Sequence, residues 1–337
     1  MDPSAPFTWI DGERLIRYGV GGLAQAPELL ATRGFGRFTL LTTERAAANA
    51  RELAAAAAEV LYVPSGGVPE AAAAVRDGVG GRPIVALGGG RVIDAGKAIA
   101  GADGLQLAAL PTTLSGAELT RHHRMPAGVE KFTLVRPAVV IADPALMASQ
   151  PMPNLAASAL NAIAHAVEAL YTPLANPAAE LCGIRAIELI TQGLGQAEPE
   201  RPALALGAVL AGWASGAAGY AFIHVVCQTT VRVAGTPHAQ TYAVVLPHGL
   251  RLLEPRLPEL LTRVARAMGA EDAVPELAAA RAAHLAAQAH VVRLSALGVG
   301  EEHLPEIAEQ ASQRPELRNT PDAPGRDELE EMLQAAF

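Results

Sequence analysis

The stretch Pro83-Ile84-Val85-Ala86-Leu87-Gly88-Gly89-Gly90-Arg91-Val92-Ile93-Asp94-Ala95-Gly96-Lys97 decides the fold class. An apolar β-type run, Ile84 to Leu87, stops at three consecutive glycines. A helical pattern then begins, with Val92, Ile93 and Ala95 on its buried side. Bare backbone at the carboxyl end of a strand lets a ligand come close. The next helix aims its unpaired N–H groups and positive dipole end at the same spot. The segment reads as a phosphate cradle for a nucleotide, although a tight glycine turn would use the same residues. It is not the G-x-G-x-x-G fingerprint, because the glycines are consecutive. Arg91 stands where it would either pair with a phosphate or fill the cradle.

Around this segment, short apolar runs alternate with alanine-rich helical stretches. Strands are expected at Phe38–Thr42, Val60–Val63, Ile84–Leu87, Leu105–Leu110 and Ala138–Asp143, and helices at Glu44–Glu59 and Pro69–Val75. Strands alternating with helices predict a parallel sheet, with ligands at the carboxyl ends of the strands. Gly88–Gly90 and Pro111–Thr113 both fall there, on consecutive strands. After Asp143-Pro144 the strand signals nearly vanish. The expected organisation is an α/β nucleotide-binding domain over residues 1–150 and an all-α domain over 151–337.

The chain has 337 residues, half of them apolar and 18% charged, which suits two globular domains. A net charge of −8 and no basic block argue against nucleic acid or an anionic membrane as partner. Cys182 and Cys227 form no disulfide framework and fit a reducing cytoplasm. The N-terminus has no signal-peptide pattern. Ala203 to Val231 lacks Asp, Glu, Lys and Arg and is long enough to span a bilayer. Its glycines, His224 and Gln228 favour a buried helical core instead.

The helical domain holds the residues with chemistry. Asn161 and His165 lie four apart, on one helical face, and His224 and Gln228 repeat the spacing. His238 and His248 follow in Thr236-Pro237-His238-Ala239 and Leu246-Pro247-His248-Gly249. Imidazole ligates divalent metals and is an acid near neutral pH. Any one of the four would serve as a hydrogen-bonded core histidine; as a group they point to a site. His122 and His123, between Arg121 and Arg124, read as a solvated or lid segment.

Four segments together carry a resemblance: Leu87–Lys97, Pro111-Thr112-Thr113-Leu114-Ser115-Gly116-Ala117-Glu118-Leu119-Thr120, Asn161–Tyr171 and Thr236–His248. In this order, across essentially the full length, the chain resembles the iron-containing alcohol dehydrogenase superfamily, and most nearly its maleylacetate reductases. The resemblance implies a dehydroquinate-synthase-like fold, with a nucleotide-binding α/β domain, a helical domain and a cleft between them. It implies that Gly88, Gly89 and Gly90 hold the pyrophosphate of NAD(P)H, that Asp94 and Lys97 flank it, and that Thr112 and Thr113 line the site. Thr42, at another strand end, joins this cofactor set. Its segment Leu41-Thr42-Thr43-Glu44-Arg45 has no Asp to exclude a 2′-phosphate, so NADP is permitted.

Metal-dependent relatives hold Fe or Zn with an Asp and three His. His165, His224 and His238 match the histidines, while Asn161 stands at the Asp position, as in maleylacetate reductases, which are thought to work without metal. An amide oxygen adds no charge and holds a cation less firmly. Arg91 and Ala117 replace serines of the family, and Ile223 and Gln228 replace histidines. The expected activity is NAD(P)H-dependent reduction of a small carbonyl or enoate acid in a biosynthetic or aromatic-degradation pathway. His224 or His238 would donate the proton, Lys131, Asn161 and His165 would orient the carboxylates, and Gln228 and His248 would also bind substrate. The alternative is a non-redox cyclase, dehydratase or lyase on the same scaffold. A homodimer is the expected assembly.

Overall fold

The computed structural model describes residues 2–337 and divides into two compact units, one ending at Ser149 and one from Gln150 to Phe337. The first unit runs β1 (Phe7–Asp11), β2 (Arg14–Tyr18), α1 (Gly22–Thr32), β3 (Thr39–Thr42), α2 (Glu44–Ala48), α3 (Arg51–Ala56) and β4 (Glu59–Tyr62). It continues with α4 (Val68–Val79), β5 (Ile84–Gly88), α5 (Gly90–Asp103), β6 (Leu107–Pro111), β7 (Val139–Ala142) and α6 (Pro144–Met147). The sheet order is β1-β2-β7-β6-β5-β3-β4. Only β1 and β2 pair antiparallel; every other neighbour is parallel.

The central parallel strands β5, β6 and β7 are apolar and buried throughout because both sheet faces are covered there, whereas edge strand β4 exposes Glu59 and Tyr62. In β5, Ile84 and Ala86 pack with α4 and α5, while Val85 and Leu87 pack with α1 and α3. Each such Leu, Ile or Val contributes roughly 1.5–3 kcal/mol by leaving water. The chain moves outward from β3 to β4, returns to place β5 beside β3, then proceeds the other way through β6 and β7. The reversal puts a crevice at the carboxyl ends of β3 and β5, where Thr42 and Gly88 lie.

Three details differ from the sequence reading. The β1–β2 hairpin was not expected; its turn places Gly12 at φ 63°, a left-handed conformation that glycine adopts freely. The single helix expected over Glu44–Glu59 is two, because Asn49 ends α2, Ala50 is non-helical, and Glu59 pairs with Thr39 as β4 begins. Sheet pairing overrides the helix preference of the alanine run. The strand expected at Leu105–Leu110 begins at Leu107 and extends to Pro111.

The second unit is helical: α7 (Met152–Glu168), α8 (Pro177–Leu194), α9 (Arg201–Ala218), α10 (Phe222–Ala234), α11 (His238–Leu253), α12 (Pro258–Ala267), α13 (Pro275–Ala286), α14 (Leu304–Ser312) and α15 (Arg326–Ala336). The uncharged stretch Ala203–Val231 is divided between α9 and α10, which bend by 101° at the break. Gly219 makes that corner with φ 87° and ψ −163°, a region closed to side chains. Among the described residues, no single helix is long and apolar enough to cross a membrane.

Candidate active site

At the end of β5, the three glycines are needed first by the protein's own packing. A Cβ on Gly88 would lie 2.7 Å from Val92 Cβ, one on Gly89 3.0 Å from Thr113 Cγ2, and one on Gly90 3.3 Å from Ser115. The segment after β6 is thereby drawn over the first turn of α5, and Thr112 N–H donates to Gly88 O at 2.9 Å. Gly89 is the N-cap of α5, and no acidic side chain occupies the helix's first turn. Arg91 is exposed on that turn rather than folded into the glycine hollow. The buried Thr113 Oγ1 has no hydrogen-bond partner. An N-terminus without its own anion, an exposed cation and an orphan hydroxyl fit a diphosphate.

Lys97 is used differently from what the resemblance implies. Its fully buried ammonium donates to the carbonyl oxygens of Ala117 (2.8 Å), Thr120 (3.2 Å) and His122 (2.8 Å), and pairs with Asp94 Oδ1 at 2.7 Å. Buried Arg14 adds a bond from Nη1 to Leu119 O at 3.1 Å. Two cations thus fasten the segment carrying His122 and His123, which was expected to be solvated or a lid. The His123 ring is also held, by Val135 N–H on Nε2 at 3.2 Å and by stacking on Phe132. Burial lowers its pKa. Thr42 is buried at the end of β3, Thr112 is half-buried, and Lys131 is exposed.

In the second unit, α7 and α10 bring His165 and His224 together, with Nε2 atoms 3.3 Å apart and ring centroids 4.1 Å apart. His165 is half-buried, and its Nδ1 faces Ser215 Oγ on α9 at 3.1 Å. His224 is buried, and its Nδ1 is hydrogen-bonded to Glu168 Oε2. Glu168 Oε1 accepts the backbone N–H of His224 at 3.1 Å. Burial pushes the Glu168 carboxyl up to about 7, against the backbone N–H groups of Ala221, His224 and Ile223 and the nearby His165, which favour its ionised form.

His238, exposed at the start of α11, does not join this pair. The ring of Tyr242 packs against both His224 (4.8 Å) and His238 (4.9 Å). Asn161, one turn before His165, is buried with an unpartnered Oδ1. Gln228 accepts from Arg314 Nη1 at 2.8 Å, and Arg314 also donates to Tyr220 Oη at 3.1 Å and pairs with Glu316. Ile223 faces α11, where a Cβ on Gly249 would come within 2.9 Å of it. His248 is half-buried on α11, with its pKa lowered by burial and by Arg251.

The metal set His165, His224 and His238 is not assembled. Among the described residues, no three His, Cys, Asp or Glu side chains are grouped to hold an ion. Two imidazoles and a neutral amide fall short of a four-ligand set that would include anionic charge. Glu168 is already bonded behind His224. The residues therefore do not fit a catalytic cation.

Glu168, Ser215, Tyr242 and Arg314 escaped the sequence reading. Glu168 stands three residues after His165, yet its partner His224 is 56 residues away. Spacing along one helix does not reveal such a pair.

Residues 17–151 match the iron-containing alcohol dehydrogenase model, and residues 155–337 match the C-terminal model of the Fe-containing alcohol dehydrogenase family. The chain is similar to maleylacetate reductase of a Rhizobium species, 32% identical over 92% of each chain. It is likewise similar to that of Pseudomonas knackmussii, 31% identical over 96% of this chain and 95% of the relative. A crystal structure of maleylacetate reductase from Agrobacterium tumefaciens superposes with a TM-score of 0.82 at 30% identity, covering 99% of this chain and 98% of that one. The chain belongs to the iron-containing alcohol dehydrogenase family. It is an NAD(P)H-dependent oxidoreductase of that type.

Proposed function

We propose that this oxidoreductase reduces a small enoate or keto dicarboxylic acid of the maleylacetate type, using NADH or NADPH. The supporting observation is the imidazole pair His165–His224, with Glu168 behind one ring and Ser215 behind the other. The substrate class comes from the full-length relatives, which are maleylacetate reductases.

The coenzyme's diphosphate is assigned to the N-terminus of α5, Arg91 and Thr113, and its nicotinamide supplies a hydride when bound. The pair takes up a proton from solvent, which makes His165, its half-buried member, an imidazolium hydrogen-bonded to His224 Nε2; His165 hands that proton to the reduced substrate, and both rings are left neutral. Asn161, Gln228 and His248, all on helices of the second unit, are the groups assigned to the substrate's carboxylates and oxo oxygen. The protein is further proposed to be a cytoplasmic homodimer that binds neither nucleic acid nor membrane.

The test is a fluorescence titration with NADH and NADPH, followed by turnover with maleylacetate and related enoates. Micromolar binding of one coenzyme and substrate-dependent loss of nicotinamide absorbance are expected. Silence of both coenzymes would remove hydride transfer from the reading.

A further inference from the structure

We propose that Glu168 is a positioning residue that sets the direction of a hydrogen-bond chain running from Ser215 through His165 and His224 to its own carboxylate. A neutral imidazole has one donor nitrogen and one acceptor. Glu168 presents acceptor oxygens at the start of α10, where Ala221 offers no side-chain cap. One oxygen takes the backbone N–H of His224, and the other takes ring Nδ1–H. His224 Nε2 is then bare and must accept. The atom facing it at 3.3 Å, His165 Nε2, must carry a hydrogen. His165 Nδ1 is bare in turn, and Ser215 Oγ–H donates to it across 3.1 Å. Every ring nitrogen is paired with neither ring charged, so two imidazoles in contact do not repel.

The order has a single source. Ser215 can donate or accept, and two facing imidazoles are indifferent to direction. Only the carboxylate is confined to accepting. Its other oxygen is committed to backbone N–H groups that cannot turn. Glu168 is too deep to meet substrate and acts only through the rings.

Glu168→Gln tests this directly. The fixed backbone donors require the carbonyl oxygen of the new amide, so its NH2 faces His224 Nδ1 and donates. The chain should reverse: His224 becomes the Nε2–H tautomer and His165 the Nδ1–H tautomer. The readout is the two-bond proton–nitrogen correlation pattern of 15N-histidine-labelled full-length protein in mildly alkaline buffer. Wild type should show His224 as Nδ1–H and His165 as Nε2–H, with both exchanged in E168Q. Opposite tautomers in wild type, or no exchange in E168Q, overturns the proposal. Should E168Q fail to fold, Ser215→Ala decides. Both tautomers should persist, because the far end does not set the order; a flipped His165 overturns it.

The inference rests on the assignment of this pair to the reduction, and kinetics separate the two. E168Q should lower kcat by roughly a hundred-fold, with KM for coenzyme unchanged. Reversed tautomers with unaltered kcat would leave the chain's order standing and remove the pair from the reaction.

Discussion

Lys97 in the first unit and Glu168 in the second are both fully buried ionic side chains, each tying distant segments together. Lys97 meets three carbonyls and a carboxylate, so its hydrogen-bonding capacity is exhausted. Glu168 ends on an imidazole whose far nitrogen still faces another ring. A saturated buried ion holds a loop; a buried ion at the head of an unsaturated chain can bias chemistry. Burial and charge alone do not separate the two roles. What lies beyond the partner does.

Lys97→Met should give the largest effect on stability. It strands three carbonyls and Asp94, and removing one partner of a buried charged cluster costs about 3–5 kcal/mol. Chemical denaturation monitored at the first unit reads this, and limited proteolysis should then cut near residues 117–122. Loss of coenzyme turnover with unchanged stability would place Lys97 at the ligand and erase the contrast.

A smaller effect concerns pH. Burial raises Glu168 to about 7, and Glu118, buried with neither carboxyl oxygen partnered, also to about 7, from 4.5. Between those values the folded chain keeps protons that the unfolded chain has released. These two groups therefore make stability fall as pH rises through that window, by about 3 kcal/mol each. Above it the deficit is constant. Glu118→Gln should remove about half of the slope in denaturation midpoints measured across the window; an unchanged slope would mean that Glu118 has a hydrogen-bonded partner or a hydrated path.

The smallest expected effect is that of chelation. Dialysis against a strong chelator should leave turnover within experimental scatter, and metal analysis should find far less than one ion per chain. A chelator-sensitive rate restored by Fe or Zn would show that His165 and His224 form part of a ligand set, contrary to their present bonding.

How much of this was legible in the sequence depended on range. The β5–α5 segment was read from local pattern, because an apolar run, glycines and helical periodicity are neighbours in the chain. The helical class of the second unit followed from periodicity as well. The β1–β2 hairpin was missed although Asp11-Gly12 offered a turn signal, and the break at Asn49–Ala50 was hidden in alanines that favour helix. In the site, His165 and His224 stood out as imidazoles in apolar surroundings. Their controlling partner did not, since nothing local marks a glutamate at the end of one helix as belonging to a ring on another. The resemblance sets Lys97 beside the pyrophosphate, and no local pattern marks the carbonyls that receive its ammonium, 20 to 25 residues onward in irregular chain.

The corner at Gly219 bears on redesign. By turning the chain through 101° just before α10, it presents that helix's first amides to a carboxylate arriving from α7. A residue with a β-carbon would be strained at this φ and ψ, and the strain would fall on the turn that leads into the amides Glu168 accepts. Libraries built to broaden substrate range should therefore leave this position invariant and diversify Gln228 and Arg314, where side chains meet without dictating the course of the backbone.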